Sequence, residues 1–295
     1  MSGPSSIKQD ESTTPIKFAD VPWSFRLVHG VRRSLARWLA AQSLHERQAT
    51  TCGLQIKRRL PRARILIPLG NLYLRLQGAT SEILSTQLWI EWESAIGSLS
   101  GRGIRACDDR AGLKLPMIAG VSLEEVLRSH RSLQSKLQSI SRAAEGLRTF
   151  HCWLITSSGV SEWPLSHGDA TCRNVMIDES AGRATWIDFD MRHRVSLPQL
   201  FRQADDLRTL IGSCACWLDR SNYPALVDVV CEGYAVADVI DEMQRLVRDW
   251  RYPNVFQLAQ APLQIDKFLQ LRALISHRPV TMSYPKAREP ARLID

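Results

Sequence analysis

The sequence predicts an α+β chain in two lobes, a small β-rich first portion followed by a larger helical one. Three observations carry this. At 295 residues, 44% of them hydrophobic, the chain is long enough to bury a core in each of two lobes. Short β-like runs concentrate before Ile118, whereas apolar patterns of helical period fill the chain after Gly120. Among those helical patterns stands one polar stretch, Leu165 to His193, "LSHGDATCRNVMIDESAGRATWIDFDMRH". The predicted boundaries are a disordered leader over residues 1–21, an N-terminal helix and β-rich lobe over 22–118, and a helical lobe over 119–295.

The elements follow in chain order. The opening "MSGPSSIKQDESTTPIKF" lacks the apolar stretch of a secretory signal and reads as a leader. From Pro22 to Leu44, Trp23, Leu27, Val31, Leu35 and Trp38 recur at helical spacing, with Arg26, Arg33 and Arg37 off that stripe. This predicts a helix packed on the first lobe, with peripheral contact to a membrane surface as the competing reading. Three β-like runs come next, "LQIKR", "ARILIPL" and "LYLRLQ", the last two joined by a tight turn at Gly70-Asn71. "SEILSTQLWIEWESAIGSL" predicts a helix with Ile83, Leu84, Leu88, Trp92, Ala95, Ile96 and Leu99 along its apolar face. A strand, "LKLPMI", leads to a helix capped by Ser122 with Glu125 in the reciprocal position of a capping box. Another helix spans Leu133 to Trp153, and the chain after Pro198 is almost wholly helical in pattern.

Composition narrows the function classes. Charged residues make up 23%, and no window approaches the run of about eighteen apolar residues that a membrane-spanning helix needs. Seven cysteines, with Cys214 and Cys216 the one close pair, show neither zinc-ligand spacing nor a disulfide framework, so a reducing, cytoplasmic setting is expected. A net charge of +8 admits nucleotides, phosphorylated metabolites, anionic lipid or nucleic acid. Without an internal repeat or an aromatic-interleaved RNA motif, nucleic acid is disfavoured.

The polar stretch reads as a loop, a short strand, a turn at "DESAGR" and a second strand running into an acidic residue. Such a hairpin presents Asn174 and Asp188 at one end of two neighbouring strands. An amide oxygen beside a carboxylate is a hard-oxygen pair suited to Mg²⁺. Asp169, on the preceding loop, is placed to accept a hydrogen bond from a hydroxyl and orient that hydroxyl towards a phosphoryl group held by the metal. A lone HGD triplet would mean little; the ordered set of loop, Asn, strand and Asp carries the reading.

The pattern H-x-D-x-x-x-x-N followed by "IDFD" resembles the catalytic and metal-binding segments of the protein-kinase-like superfamily. The HGD form is most similar to its aminoglycoside phosphotransferase and choline kinase branch. The resemblance implies a bilobal fold, ATP and Mg²⁺ as cofactors, Asp169 as catalytic base with His167 buttressing its loop, and Asn174 and Asp188 as metal ligands. "LPMIAGVSLEEVL" resembles the hinge between lobes, which would bring the backbone of Met117 and Ile118 to an adenine edge. "ADDLRTLIG" resembles the helix whose Asp, here Asp206, anchors the catalytic loop; the plainer reading of Asp205 and Asp206 is acids favoured near a helix N-terminus.

The first lobe departs from the pattern. The family's phosphate-holding Lys is replaced by one of two candidates. Arg75, in the third β-like run and eighteen residues before Glu93, is the favoured one. Lys57 in "LQIK" is the other, set aside because it leaves an extra pair of strands before the helix. The turn "RRLPRA" lacks a G-x-G, so Arg59 and Arg62 stand as electrostatic substitutes for backbone amides. Three functions stay open: an ATP-dependent phosphotransferase, a non-catalytic nucleotide-binding scaffold of the same fold, and a metal-dependent phosphoesterase using Asp188 and Asp190. The segment from Asp190 to Asp206 is short for a peptide platform, so a small-molecule or lipid-linked acceptor is expected. Specificity would then lie between Pro198 and Pro279, where Trp217, Tyr223, Tyr234 and Trp250 read as core or as pocket lining.

Overall fold

The computed structural model describes residues 44–50, 53–107, 112–157, 160–248 and 265–278. The expected leader and the helix from Pro22 to Leu44 lie outside these residues but for Leu44. The chain is mixed α+β. Its first portion comprises β1 (His45–Ala49), β2 (Leu54–Arg59), α1 (Ala63–Leu76), β3 (Ser81–Ile83), α2 (Thr86–Leu99), β4 (Arg105–Ala106) and β5 (Gly112–Pro116). Then follow β6 (Val121–Ser122), α3 (Leu123–Arg128), α4 (Leu133–His151), β7 (Leu154–Ser157), β8 (Val160–Pro164), β9 (Val175–Asp178), β10 (Arg183–Trp186) and β11 (Met191–His193). Helices α5 (Gln199–Ala215), α6 (Tyr223–Tyr234), α7 (Ala237–Arg248) and α8 (Ile265–His277) complete it.

An antiparallel sheet of order β1-β2-β5-β4 forms the first portion, with Lys57 opposite Arg47 on one side and Leu113 on the other. Buried apolar side chains gather in two clusters. A small one, Leu84, Trp89, Ile104 and Leu113, lies between α2 and this sheet. A large one is built mainly from α3 to α8 and β9–β10. The strand pair β3–β11 ties the first portion to the segment that follows Asp190, with Met191 opposite Ile83.

Several expected elements are present. The capping box at Ser122 and Glu125 is formed in both directions, and its two hydrogen bonds hold the first turn of α3. The predicted hairpin is β9–β10, with Val175 opposite Trp186. The predicted helix at Leu133 runs to His151.

Three expectations are corrected. Ser81–Ile83, expected to open the helix of α2, form strand β3, and the helix starts at Thr86 after its cap Ser85. "ARILIPL" and "LYLRLQ" are not strands: both lie in the single helix α1, which continues through Pro68 and Gly70. Its buried residues Ala63, Ile67, Gly70 and Leu74 recur at helical spacing. Gly70 is not a turn residue. A Cβ there would lie 2.8 Å from Ile83 Cδ1, so glycine permits close approach to β3. Asn71 finishes that docking, accepting from Ile83 N–H at 2.7 Å and donating to the Ile83 carbonyl at 2.8 Å. The apolar face of α2 is also rotated from the expected one. Trp89, Glu93, Ile96 and Gly97 are buried, whereas Leu88 is exposed. The reason is polar: Trp89 donates its indole N–H to Glu93, which makes burial of that carboxylate tolerable.

Candidate active site

The loop from Leu165 to Asn174 is held from below by α5. Asp206, fully buried, accepts from His167 N–H at 2.6 Å and from Gly168 N–H at 2.9 Å. It also meets His151 Nε2 at 3.0 Å, whose Nδ1 lies 2.8 Å from the Tyr234 hydroxyl. Burial lowers the pKa of His151, so the neutral ring donates to Asp206 and accepts from Tyr234. Burial alone would raise the Asp206 carboxyl; the surrounding His193 and His151 overcome that and hold it low. An ionised carboxylate therefore fixes two successive backbone N–H groups of the loop.

Gly168 has φ 79, and a Cβ on it would fall 2.7 Å from the Arg192 backbone. The middle residue of "HGD" is glycine because the loop presses against β11 in a left-handed conformation. His167 is buried among Phe150, Trp186 and Phe189, with its Nε2 2.9 Å from the Ile187 carbonyl. Burial depresses its pKa. Neutral and enclosed, His167 joins the loop to the segment entering Asp188: a positioning residue.

Beyond it, Asn174 donates from Nδ2 to the backbone carbonyl of Asp169 at 2.8 Å and to its Oδ2 at 3.0 Å. Burial and the charge of Asp188 push the Asp169 carboxyl up to about 6, against the lowering effect of the Asn174 amide. That value suits a group that must accept a proton near neutrality. Ile187 N–H bonds the Asn174 carbonyl at 2.9 Å, so the hairpin brings Asn174 level with the chain just before Asp188, as expected.

Asp188 has φ 67, one of two non-glycine residues with positive φ among the described residues. Such strain collects where a side chain must be aimed. Its Oδ1 lies 2.5 Å from Lys57 Nζ and its Oδ2 3.0 Å from Arg47 Nη2. Lys57 also reaches Asp190 at 2.8 Å and Glu93 at 3.6 Å, and sits 5.0 Å over the Trp89 ring. His45 Nδ1 lies 3.1 Å from Asp190. Burial, reinforced by Lys57 and Arg59, drives the His45 pKa down to about 2, so this contact is a neutral hydrogen bond.

Burial alone would lower the Lys57 pKa, but Asp188, Asp190 and Glu93 outweigh it and hold the ammonium charged. The two aspartates share that one cation. Burial opposes ionisation of both; Lys57 and Arg47 keep Asp188 anionic, and burial with the neighbouring Asp188 charge raises Asp190.

The cation beside Glu93 and Asp188 is therefore Lys57, and the preference for Arg75 is corrected. Arg75 is on the exposed side of α1. The objection to Lys57 rested on two supposed strands that are one helix. Arg59, expected to meet phosphate, is buried, with its guanidinium over Trp89 and bonded to the Leu84 carbonyl. Arg62 is at the exposed start of α1. Met117 and Ile118 follow β5, where Met117 N–H is engaged by the Gly53 carbonyl at 3.1 Å. Tyr223 and Tyr234 are buried core residues bonded through their hydroxyls, and Trp217 stacks under Arg128; Trp250 is outside the described residues.

Two residues missed from sequence belong to the site. Arg47 and His45 reach the aspartates from β1, three residues and one residue beyond the helix expected to end at Leu44. A basic residue two positions from a His in a strand facing Lys57 was the available signal. For Mg²⁺, the donor chemistry fits. The Asn174 amide nitrogen is committed to Asp169, which leaves its oxygen as the free end, and Asp188 supplies a partly exposed carboxylate. Among the described residues there is no group of three His, Cys, Asp or Glu side chains able to hold a metal by themselves. A Mg²⁺ here would need phosphate oxygens and water to complete its shell, which is its usual habit. No helix among the described residues is long and apolar enough to cross a membrane. Neither the family models nor the curated proteins compared with this chain yield a match.

Proposed function

We propose that the chain is a phosphotransferase with a bilobal, protein-kinase-like arrangement, moving a γ-phosphoryl group from ATP to a hydroxyl of a small-molecule or lipid-linked acceptor. The observation that carries this is Lys57. A lysine from the sheet, 1% exposed, bridges Glu93 of α2 and the Asp188 that follows the Asn174 hairpin. A buried ammonium shared between a helix Glu and a loop Asp is costly to build for stability alone. It is well suited to meeting phosphate charge across a cleft.

The residues then divide the work. Asp169, with its raised carboxyl, accepts the acceptor's hydroxyl proton as the oxygen attacks. The Asn174 amide orients that carboxylate through Nδ2. Asp206 and His167 keep the loop in place, and Glu93 keeps Lys57 aimed while Lys57 contacts phosphate. Asp188 and the Asn174 oxygen would hold Mg²⁺, which would supply positive charge to offset that of the nucleotide phosphates. Because Lys57 spans both Asp188 and Asp190, the pair is partly neutralised, which favours this reading over a two-carboxylate phosphoesterase centre.

The test has two parts. Mg²⁺-ATP should raise the melting temperature, since a ligand bound only by the native state stabilises it. Label from γ-phosphate should pass to an acceptor from a panel of sugars, aminoglycosides, choline-like alcohols and lipopolysaccharide fragments, and Asp169→Asn should slow this by about 10²–10⁴-fold. Nucleotide binding without transfer to any acceptor, protein included, would identify a non-catalytic scaffold. Full activity in Asp169→Asn would remove Asp169 as base.

A further inference from the structure

Helix α1 has two apolar faces, and the described residues bury one. At about 100° per residue, Ala63, Ile67, Gly70 and Leu74 form the buried stripe against β3. Ile65, Leu69, Leu72 and Leu76 fall within roughly 60° of arc on the opposite side. They are 68%, 50%, 55% and 73% exposed, and they supply four of the ten exposed large hydrophobics among the described residues. Scattered apolar side chains need no explanation, but four leucines and isoleucines in one line along a helix do.

Charge says what covers the line. Exposed arginines flank it, Arg62 on one side and Arg64 and Arg75 on the other. No Asp or Glu occurs between Glu46 and Glu82, so no carboxylate of this segment opposes an anionic surface. An apolar ridge with guanidinium groups on both shoulders matches the boundary between acyl chains and negatively charged headgroups. A second copy of the chain would set arginine against arginine along a symmetric contact.

We propose that the outer face of α1 is a docking surface for an anionic lipid bilayer, with Ile65, Leu69, Leu72 and Leu76 seated below the headgroups and Arg64 and Arg75 at headgroup level. The surface is tied to the candidate active site. Asn71 of α1 bonds the backbone of Ile83, β3 pairs with β11, and β11 begins one residue after Asp190. A seated α1 therefore holds the carboxylate cluster at the membrane. The proposal stands apart from phosphotransfer.

The experiment is co-sedimentation of the full chain with vesicles of phosphatidylcholine alone and of phosphatidylcholine mixed equally with phosphatidylglycerol. Binding to the anionic vesicles, weakened by salt, is expected. Leu69→Glu with Leu72→Glu should lower the partition coefficient by at least about tenfold. Arg64→Ala with Arg75→Ala should lower it by about tenfold on anionic vesicles alone. Both double variants change exposed side chains, and an unchanged melting temperature without any ligand would verify the fold. Asp169→Asn should bind vesicles as the unaltered chain does, which separates this proposal from the catalytic one. Equal binding by the Leu69→Glu, Leu72→Glu variant would overturn the proposal. So would a dimer of the unaltered chain that this variant dissolves without any vesicle binding.

Discussion

Replacing Lys57 with Met keeps most of the buried stem and removes the ammonium. Three carboxylates then lose their shared partner: Asp188 at 2.5 Å, Asp190 at 2.8 Å and Glu93 at 3.6 Å. Deleting one member of a buried ionic group typically costs about 3–5 kcal/mol, because the remaining charges stay desolvated. Arg47, 3.0 Å from Asp188, and Arg59, 3.8 Å from Asp190, still offset part of this, while the contact over Trp89 is lost. The expected destabilisation at pH 8 is about 3 kcal/mol, or a fall in melting temperature of roughly 6–12 °C.

The pH dependence gives the sharper test. Without Lys57 the native carboxylates have pKa values above those of the unfolded chain. A raised carboxyl pKa costs stability above the folded pKa, and the cost is relieved as pH falls and the group takes up its proton. The deficit relative to the unaltered chain should therefore narrow between pH 8 and pH 5. Adding Asp190→Asn to Lys57→Met should recover about 1–2 kcal/mol, because these sites couple directly. Arg75→Ala serves as the contrast: an exposed residue on α1, it should change stability by at most about 0.5 kcal/mol and leave Mg²⁺-ATP binding intact. Calorimetric melts over that pH range, with and without Mg²⁺-ATP, measure all of this. A Lys57→Met protein as stable as its parent at pH 8, or a deficit indifferent to pH, would refute the buried ionic cluster.

Other outcomes follow from the loop. With Asp169 pushed up to about 6, kcat/KM for the acceptor should rise with pH through that value and level off above it, and a pH–rate profile with no limb near pH 6 would contradict the assignment. Asp206 is held low in the native state, so its contribution is present above the unfolded carboxylate range and is lost as pH falls. Asp206→Asn should cost about 2–4 kcal/mol in urea unfolding at pH 7 and show a flatter acid limb than the parent. Gly168→Ala forces a Cβ to 2.7 Å from the Arg192 backbone at φ 79, so transfer activity should drop by at least about tenfold through misplacement of Asp169; a crystal structure with an unmoved loop and full activity would contradict this.

What the sequence determined by itself was the elements whose signals are local. A capping box needs Ser122 and Glu125 three residues apart, a hairpin needs two short runs and a turn, and both were legible because their partners lie close along the chain. Asp206 was legible as an anchor only by resemblance; its hydrogen bonds to His167 and Gly168 span nearly forty residues. Tertiary structure decided the rest. The segment from Ala63 to Leu76 alternates well enough to read as two strands, and its Gly70 and Asn71 read as a turn. Packing against β3 overrode both, since glycine allowed the close approach and the Asn71 amide completed the hydrogen bonds. That single change moved Arg75 out to the surface and removed the case against Lys57. A lysine's partner cannot be read from its own stretch when the carboxylates that hold it, Glu93, Asp188 and Asp190, come from thirty-six to more than a hundred residues away. Long-range charge pairing is set by which faces are buried together, and only the folded chain brings those faces into contact.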